Sequence, residues 1–178
     1  MKKKIIMAAL VLICAASGSP GKDGGDSATD HEWGARTAKI KDAIGPGKCI
    51  EFTPSDDPEY QNKIMSYITA IDGELAGKIK IVRVQTRPVV DYLFVNDRLY
   101  TVMEDWGPVD PSTENDIRSR LSLRFGTPLV QKDNNLHIYS YNSDTTKVLC
   151  YLTRQTGETT KCKVYFYTRK LFRMLITE

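Results

Sequence analysis

The stretch from Ser112 to Pro128 has a start, a face and a stop for one helix. Ser112 or Thr113 can cap the first turn, and Glu114 and Asp116 suit the positive helix end. Ile117, Leu121 and Phe125 recur every fourth residue and draw one apolar stripe. Glu114 can pair with Arg118 and Asp116 with Arg120, each at i,i+4. Gly126 can take the conformation that ends a helix, and Pro128 forbids restarting it. A helix with one apolar side needs a partner surface. Both flanks read as antiparallel strands, so the expected fold is α+β: a mostly antiparallel sheet of about six strands, with one or two helices on one face.

The upstream flank supplies part of that sheet. Ile79 to Thr86 is rich in Ile and Val, and Val89 to Val95 is a second strand. Asn96-Asp97 makes a tight two-residue turn, and Arg98 to Asp105 returns with Leu99 facing Phe94. Gly107, Pro108 and Pro111 break the chain before the helix. Downstream, Leu136 to Tyr141 is short and aromatic, Asn142 to Asp144 turns, and Thr146 to Thr153 alternates Val148, Cys150 and Leu152. Cys162, Val164 and Phe166 alternate on the strand after that. A three-residue loop at Gln155 to Gly157 places Arg154 opposite Glu158 and Cys150 opposite Cys162. Leu171 to Ile176 reads as a last strand or a helical turn.

Ahead of these strands lie a short helix over Thr37 to Ile44 and a short strand from Lys48 to Thr53. A second amphipathic helix carries Tyr60, Ile64, Tyr67, Ile68 and Ile71, with Asp57 before Pro58 at its start and Gly73 at its stop. No repeat at a solenoid period is visible.

The first residues read differently. Lys2, Lys3 and Lys4 precede an apolar run from Ile5 to Ala16, followed by small residues. This is the layout of a secretory signal, residues 1–18, with cleavage after Ala16 or Gly18. The run is short for a membrane span. Cys14 raises a second route, in which it becomes a lipidated N-terminus; Ile13 directly before it is larger than such signals usually hold. Residues 19–36 read as a disordered tether, and up to about Asp30 the composition is Gly, Ser, Asp, Lys and Pro with almost nothing apolar to bury. Trp33 within it can dock on the domain, residues 37–178. The formal charge of +3 comes from 25 basic and 22 acidic residues. Without the three leader lysines the remaining balance is 22 to 22, so no net field draws the chain to nucleic acid or anionic lipid. Membrane attachment then needs the Cys14 lipid.

The segment Leu121, Arg124, Phe125, Gly126 and Pro128, followed by an aromatic hairpin, resembles small exported bacterial α+β proteins of unknown function. The resemblance implies a sheet with a packed helix and transfers no catalytic residue.

Chemistry-bearing residues are sparse. His31 lies by the tether and His137 in a strand. No His-x-x-x-His, Cys-x-x-Cys, Gly-x-Ser-x-Gly or phosphate-binding Gly-Lys loop occurs. No cofactor is expected. A Cys49–His137 dyad requires the two to meet in space. Export permits a Cys150–Cys162 disulfide worth on the order of 3 kcal/mol; buried free thiols are the alternative. Two acidic groups stand out: Asp56, Asp57 and Glu59; and Glu104, Asp105, Asp110, Glu114 and Asp116 around Trp106. Capping and solvation explain both, while a buried pair could serve a small hydrolase or a metal site. Tyr151, Tyr165 and Tyr167 fall on the strand phase opposite Cys150, Leu152, Val164 and Phe166. They form an outer face for a protein or glycan partner, or a small second cluster beneath another helix. The reading is an exported periplasmic or envelope protein, non-catalytic, that binds or supports a partner.

Overall fold

The computed structural model describes residues 32–56, 79–154 and 159–169. The leader, His31, the expected helix from Asp57 to Gly73, Glu59, the turn at residues 155–158 and the apolar Leu171–Ile176 lie outside them.

In chain order the elements are α1 (Thr37–Ile44), β1 (Cys49–Phe52), a 3-10 turn (Pro54–Asp56), β2 (Ile79–Val84), β3 (Val89–Val95), β4 (Arg98–Val109), α2 (Pro111–Phe125), β5 (Leu129–Asp133), β6 (Leu136–Asn142), β7 (Thr146–Arg154) and β8 (Thr160–Thr168). The strands form one antiparallel sheet of eight, ordered β1-β2-β3-β4-β8-β7-β6-β5. The expected six is therefore too few. The strand not foreseen is β5, whose Gln131-Lys132-Asp133 lacks apolar alternation. As an edge strand with every residue exposed, it needs none.

The order is that of two similar halves. A helix precedes the four-stranded meander β1–β4, and a helix precedes the meander β5–β8. The halves join along β4 and β8.

Both helices bury their apolar sides in one cluster on the same sheet face. Ala35 and Ile40 come from the α1 end, and Ile117 and Leu121 from α2. They pack with Val82, Phe94, Val102, Val148, Val164 and Phe166. Phe125 completes the stripe, tilted on Phe166 at 6.2 Å. A smaller cluster of Ile79, Ile81, Leu93, Val95 and Met103 lies on the opposite face, with Phe52, Tyr100 and Tyr165 beside it.

Two details of α2 differ from the sequence reading. The cap is Asp110, whose carboxylate accepts from the Thr113 amide at 2.7 Å, because Pro111 already fits the first helical position. Thr113 thus lies inside the helix. The stop holds: Gly126 has φ +81° and donates its N–H to Ser122 O.

β4 also runs four residues past Asp105. Trp106 is a bulged residue there, and Gly107 takes φ +62°, so the ladder to β8 resumes at Gly107 and Pro108. The turn at Asn96-Asp97 has positive φ at both residues and Phe94 faces Leu99. The described fold takes in part of the stretch read as tether. Gly34 and Ala35 exchange backbone hydrogen bonds with Leu99, and the Trp33 indole donates to Thr146 Oγ1 at 2.8 Å.

Candidate functional site

The three tyrosines do stand together. Tyr151 on β7 meets Tyr165 on β8 edge-on at 5.5 Å, and Tyr165 stacks on Tyr167 at 6.0 Å and 8°. Strand alternation places them away from the helices, since Cys150, Leu152, Val164 and Phe166 point into the helix-side core. All three rings are half-buried, and Tyr165 also packs on the smaller cluster. Lys163 stands opposite Tyr151 and pairs with Asp105 of β4 at 3.1 Å. The rings form a continuous row whose middle member, Tyr165, packs on the smaller cluster, and all three are half-buried.

The acidic group around Trp106 is dispersed. Glu104 points under α2 at 1% exposure, pairs with Arg120 at 3.0 Å and accepts the Trp106 indole N–H at 3.1 Å. Asp105 points to the other face, taking Lys163 and the Gly107 amide. Asp110 caps α2, and hydrogen bonding from Thr113 lowers its carboxyl below the ordinary range. Glu114 pairs with Arg118 at 3.7 Å, while Asp116 is exposed. Arg120 thus reaches Glu104 across the sheet rather than Asp116 on its own helix. Its guanidinium also lies 5.1 Å over the Trp106 ring. Asp56 binds the Thr53 amide and hydroxyl, which lower its carboxyl too. No group of three metal-ligating side chains occurs among the described residues.

The register corrects the expected facing of the two cysteines. Arg154 faces Thr160, Cys150 faces Val164, and Leu152 faces Cys162. The connection between β7 and β8 is longer than the three-residue loop inferred from sequence, and the partner strand shifts by two residues. Cys150 and Cys162 are consequently diagonal neighbours rather than opposite ones, and both are free and buried. Their thiols are in contact. Hydrogen bonding to Cys150, and then burial, raise the Cys162 thiol above its ordinary range. Cys49 is on β1 and His137 on β6, with five strands between them. At ~4.8 Å per strand they stand roughly 29 Å apart and form no dyad.

Sequence reasoning missed two grooves among the described residues, each lined by an aromatic that sits at a bulge in β4. Tyr100 is the extra residue against β3, and Trp106 the extra residue against β8. Trp106 lines a shallow groove of about 490 Å³ with Arg87 and Thr86. Tyr100 lines a larger one of about 690 Å³ with Trp33, Arg98, Asp144 and Arg169. Their residues are far apart in sequence, so no local motif announces them. The one available signal was that β4 carries an aromatic out of phase at each bulge.

Compared with protein families, characterised proteins and solved structures, the chain shows no match.

Proposed function

We propose that the protein is exported to the bacterial envelope and works by binding rather than by catalysis, with the tyrosine ladder as its contact surface. The observation that carries this reading is the ladder itself. Tyr151, Tyr165 and Tyr167 form a preordered, half-exposed aromatic row on the sheet face away from the helices. Aromatic side chains held rigid in this way give large contact area at small entropic cost. The partner is an envelope protein or a glycan. The basic, then apolar, then small-residue leader supports export, and Cys14 supplies a lipid anchor if it is processed.

A photo-crosslinking residue placed at Tyr151 tests the surface, with one at exposed Ser119 on α2 as control. In the native envelope the Tyr151 position should give a discrete adduct and Ser119 none. Equal labelling from both positions, or none from either, removes the assignment. Intact mass of the exported chain separates cleavage after residue 16 or 18 from lipidation of Cys14.

A further inference from the structure

The larger groove lies at the end of the sheet where β4 begins and β7 and β8 meet the Trp33 segment. Its volume of about 690 Å³ is within the range that takes small ligands. Trp33 and Tyr100 supply its aromatic surfaces. Trp33 is fixed by its hydrogen bond to Thr146, and Tyr100 by its place in the bulge.

Two guanidinium groups line the same groove. Arg98 Nη1 donates to Gly34 O at 3.1 Å, and Arg169 Nη1 donates to Ser143 O at 3.2 Å. Each is thereby anchored to backbone through one N–H, and an arginine carries five. Neither has a carboxylate partner among the described residues. Asp144 is the single acidic side chain on the described rim. Two positive groups and one negative leave the rim with a net charge of one positive.

We propose that this groove binds a small monocarboxylate with an apolar body, its carboxylate on Arg98 and Arg169 and its apolar part against Trp33 and Tyr100. Guanidinium donors match a planar carboxylate in both charge and spacing. The stoichiometry of charge selects a monoanion, because Asp144 opposes the second charge of a phosphate. The apolar surfaces add affinity that an inorganic anion cannot use.

The test uses the full chain and three probes: phenylacetate, its uncharged analogue phenylacetamide, and inorganic phosphate. The readout is the indole N–H resonance of Trp33, distinguished from that of Trp106, the other tryptophan, in a Trp106→Phe sample. Phenylacetate should shift it saturably at millimolar concentration, where affinities of this kind fall. Phenylacetamide and phosphate should each bind about tenfold more weakly or not at all, and Arg98→Gln and Arg169→Gln should each weaken phenylacetate about tenfold. Raising the salt concentration should weaken it further. The probe comparison needs no variant, so it decides the matter even if an arginine substitution unfolds the chain. An amide that binds as well as the acid, a phosphate that binds as tightly, or no saturable shift with phenylacetate overturns the proposal.

Discussion

At the scale of single residues, the chain uses its charges in ways their local spacing does not reveal. Arg120 is the clearest case. Its spacing from Asp116 suits a surface pair worth about 0.3–0.5 kcal/mol. The structure instead aims it at Glu104, a carboxylate at 1% exposure that also holds the Trp106 indole. Removing one partner of a buried pair leaves an uncompensated charge at a cost of about 3–5 kcal/mol. Arg120 itself is 41% exposed, so solvent recovers part of that. Arg120→Ala should therefore destabilise by about 2–3 kcal/mol in urea unfolding, and Asp116→Ala by less than about 0.5 kcal/mol. Similar small values for both would mean that the surface pair, not the buried one, is formed. The acid preference that the sequence shows around Trp106 thus resolves into a buried pair, a capping carboxylate, half-buried ion pairs at Asp105 and Glu114, and an exposed Asp116.

At the scale of elements, α2 is positioned by the side of the helix that faces the sheet. Leu121 is 2% exposed and packs among the core strands, whereas Leu123, two residues on, is 90% exposed. Leu121→Ala should cost about 2–5 kcal/mol, the range for emptying a buried leucine site. Leu123→Ala should be near neutral, since it removes nothing from the core. Unfolding midpoints of the two variants in urea measure this directly, and comparable losses would mean the helix is rotated from the arrangement described. The element is legible in sequence because a stripe every fourth residue and a terminal glycine are both local; Pro111, read as a chain breaker, is instead the first helical residue. The Asp110 cap lies two residues before the Ser112 start read from the sequence. Strand β5 was not legible at all, because an exposed edge carries no burial pattern. The extension of β4 through Gly107 and Pro108 was hidden for the opposite reason. Residues that usually break a strand are here absorbed by a bulge.

At the scale of the whole molecule, carboxylates tie its parts together and set its response to acid. Glu51 on β1 joins Lys41 of α1 and Lys80 of β2, and their hydrogen bonds lower its carboxyl below the ordinary range. Asp97 in the β3–β4 turn accepts the Thr37 amide at the start of α1, and Thr37 lowers it likewise. Asp110 does the same for α2. A carboxyl whose folded pKa is depressed contributes stability above its unfolded pKa of about 4 and loses that contribution as pH falls through the lower folded value. Stability should thus be flat near neutrality and decline below about pH 4. Glu51→Gln combined with Asp110→Ala should lower the neutral-pH midpoint and flatten the acid decline. An acid limb unchanged in that double variant would show that other groups control it. By itself the sequence determined the α+β class, the apolar stripe and the Gly126 stop of α2, the Asn96-Asp97 turn and the pairing of Phe94 with Leu99. Each follows from the period of apolar residues or from turn chemistry within a few positions. Only the tertiary structure decided the two-halved strand order, the diagonal placement of Cys150 and Cys162, the burial of Glu104 and the groove between Trp33, Arg98 and Arg169. Those depend on which distant segments pair and in what register. A connection two residues longer than the shortest plausible one changes every contact across β7 and β8 while leaving the local pattern of both strands intact.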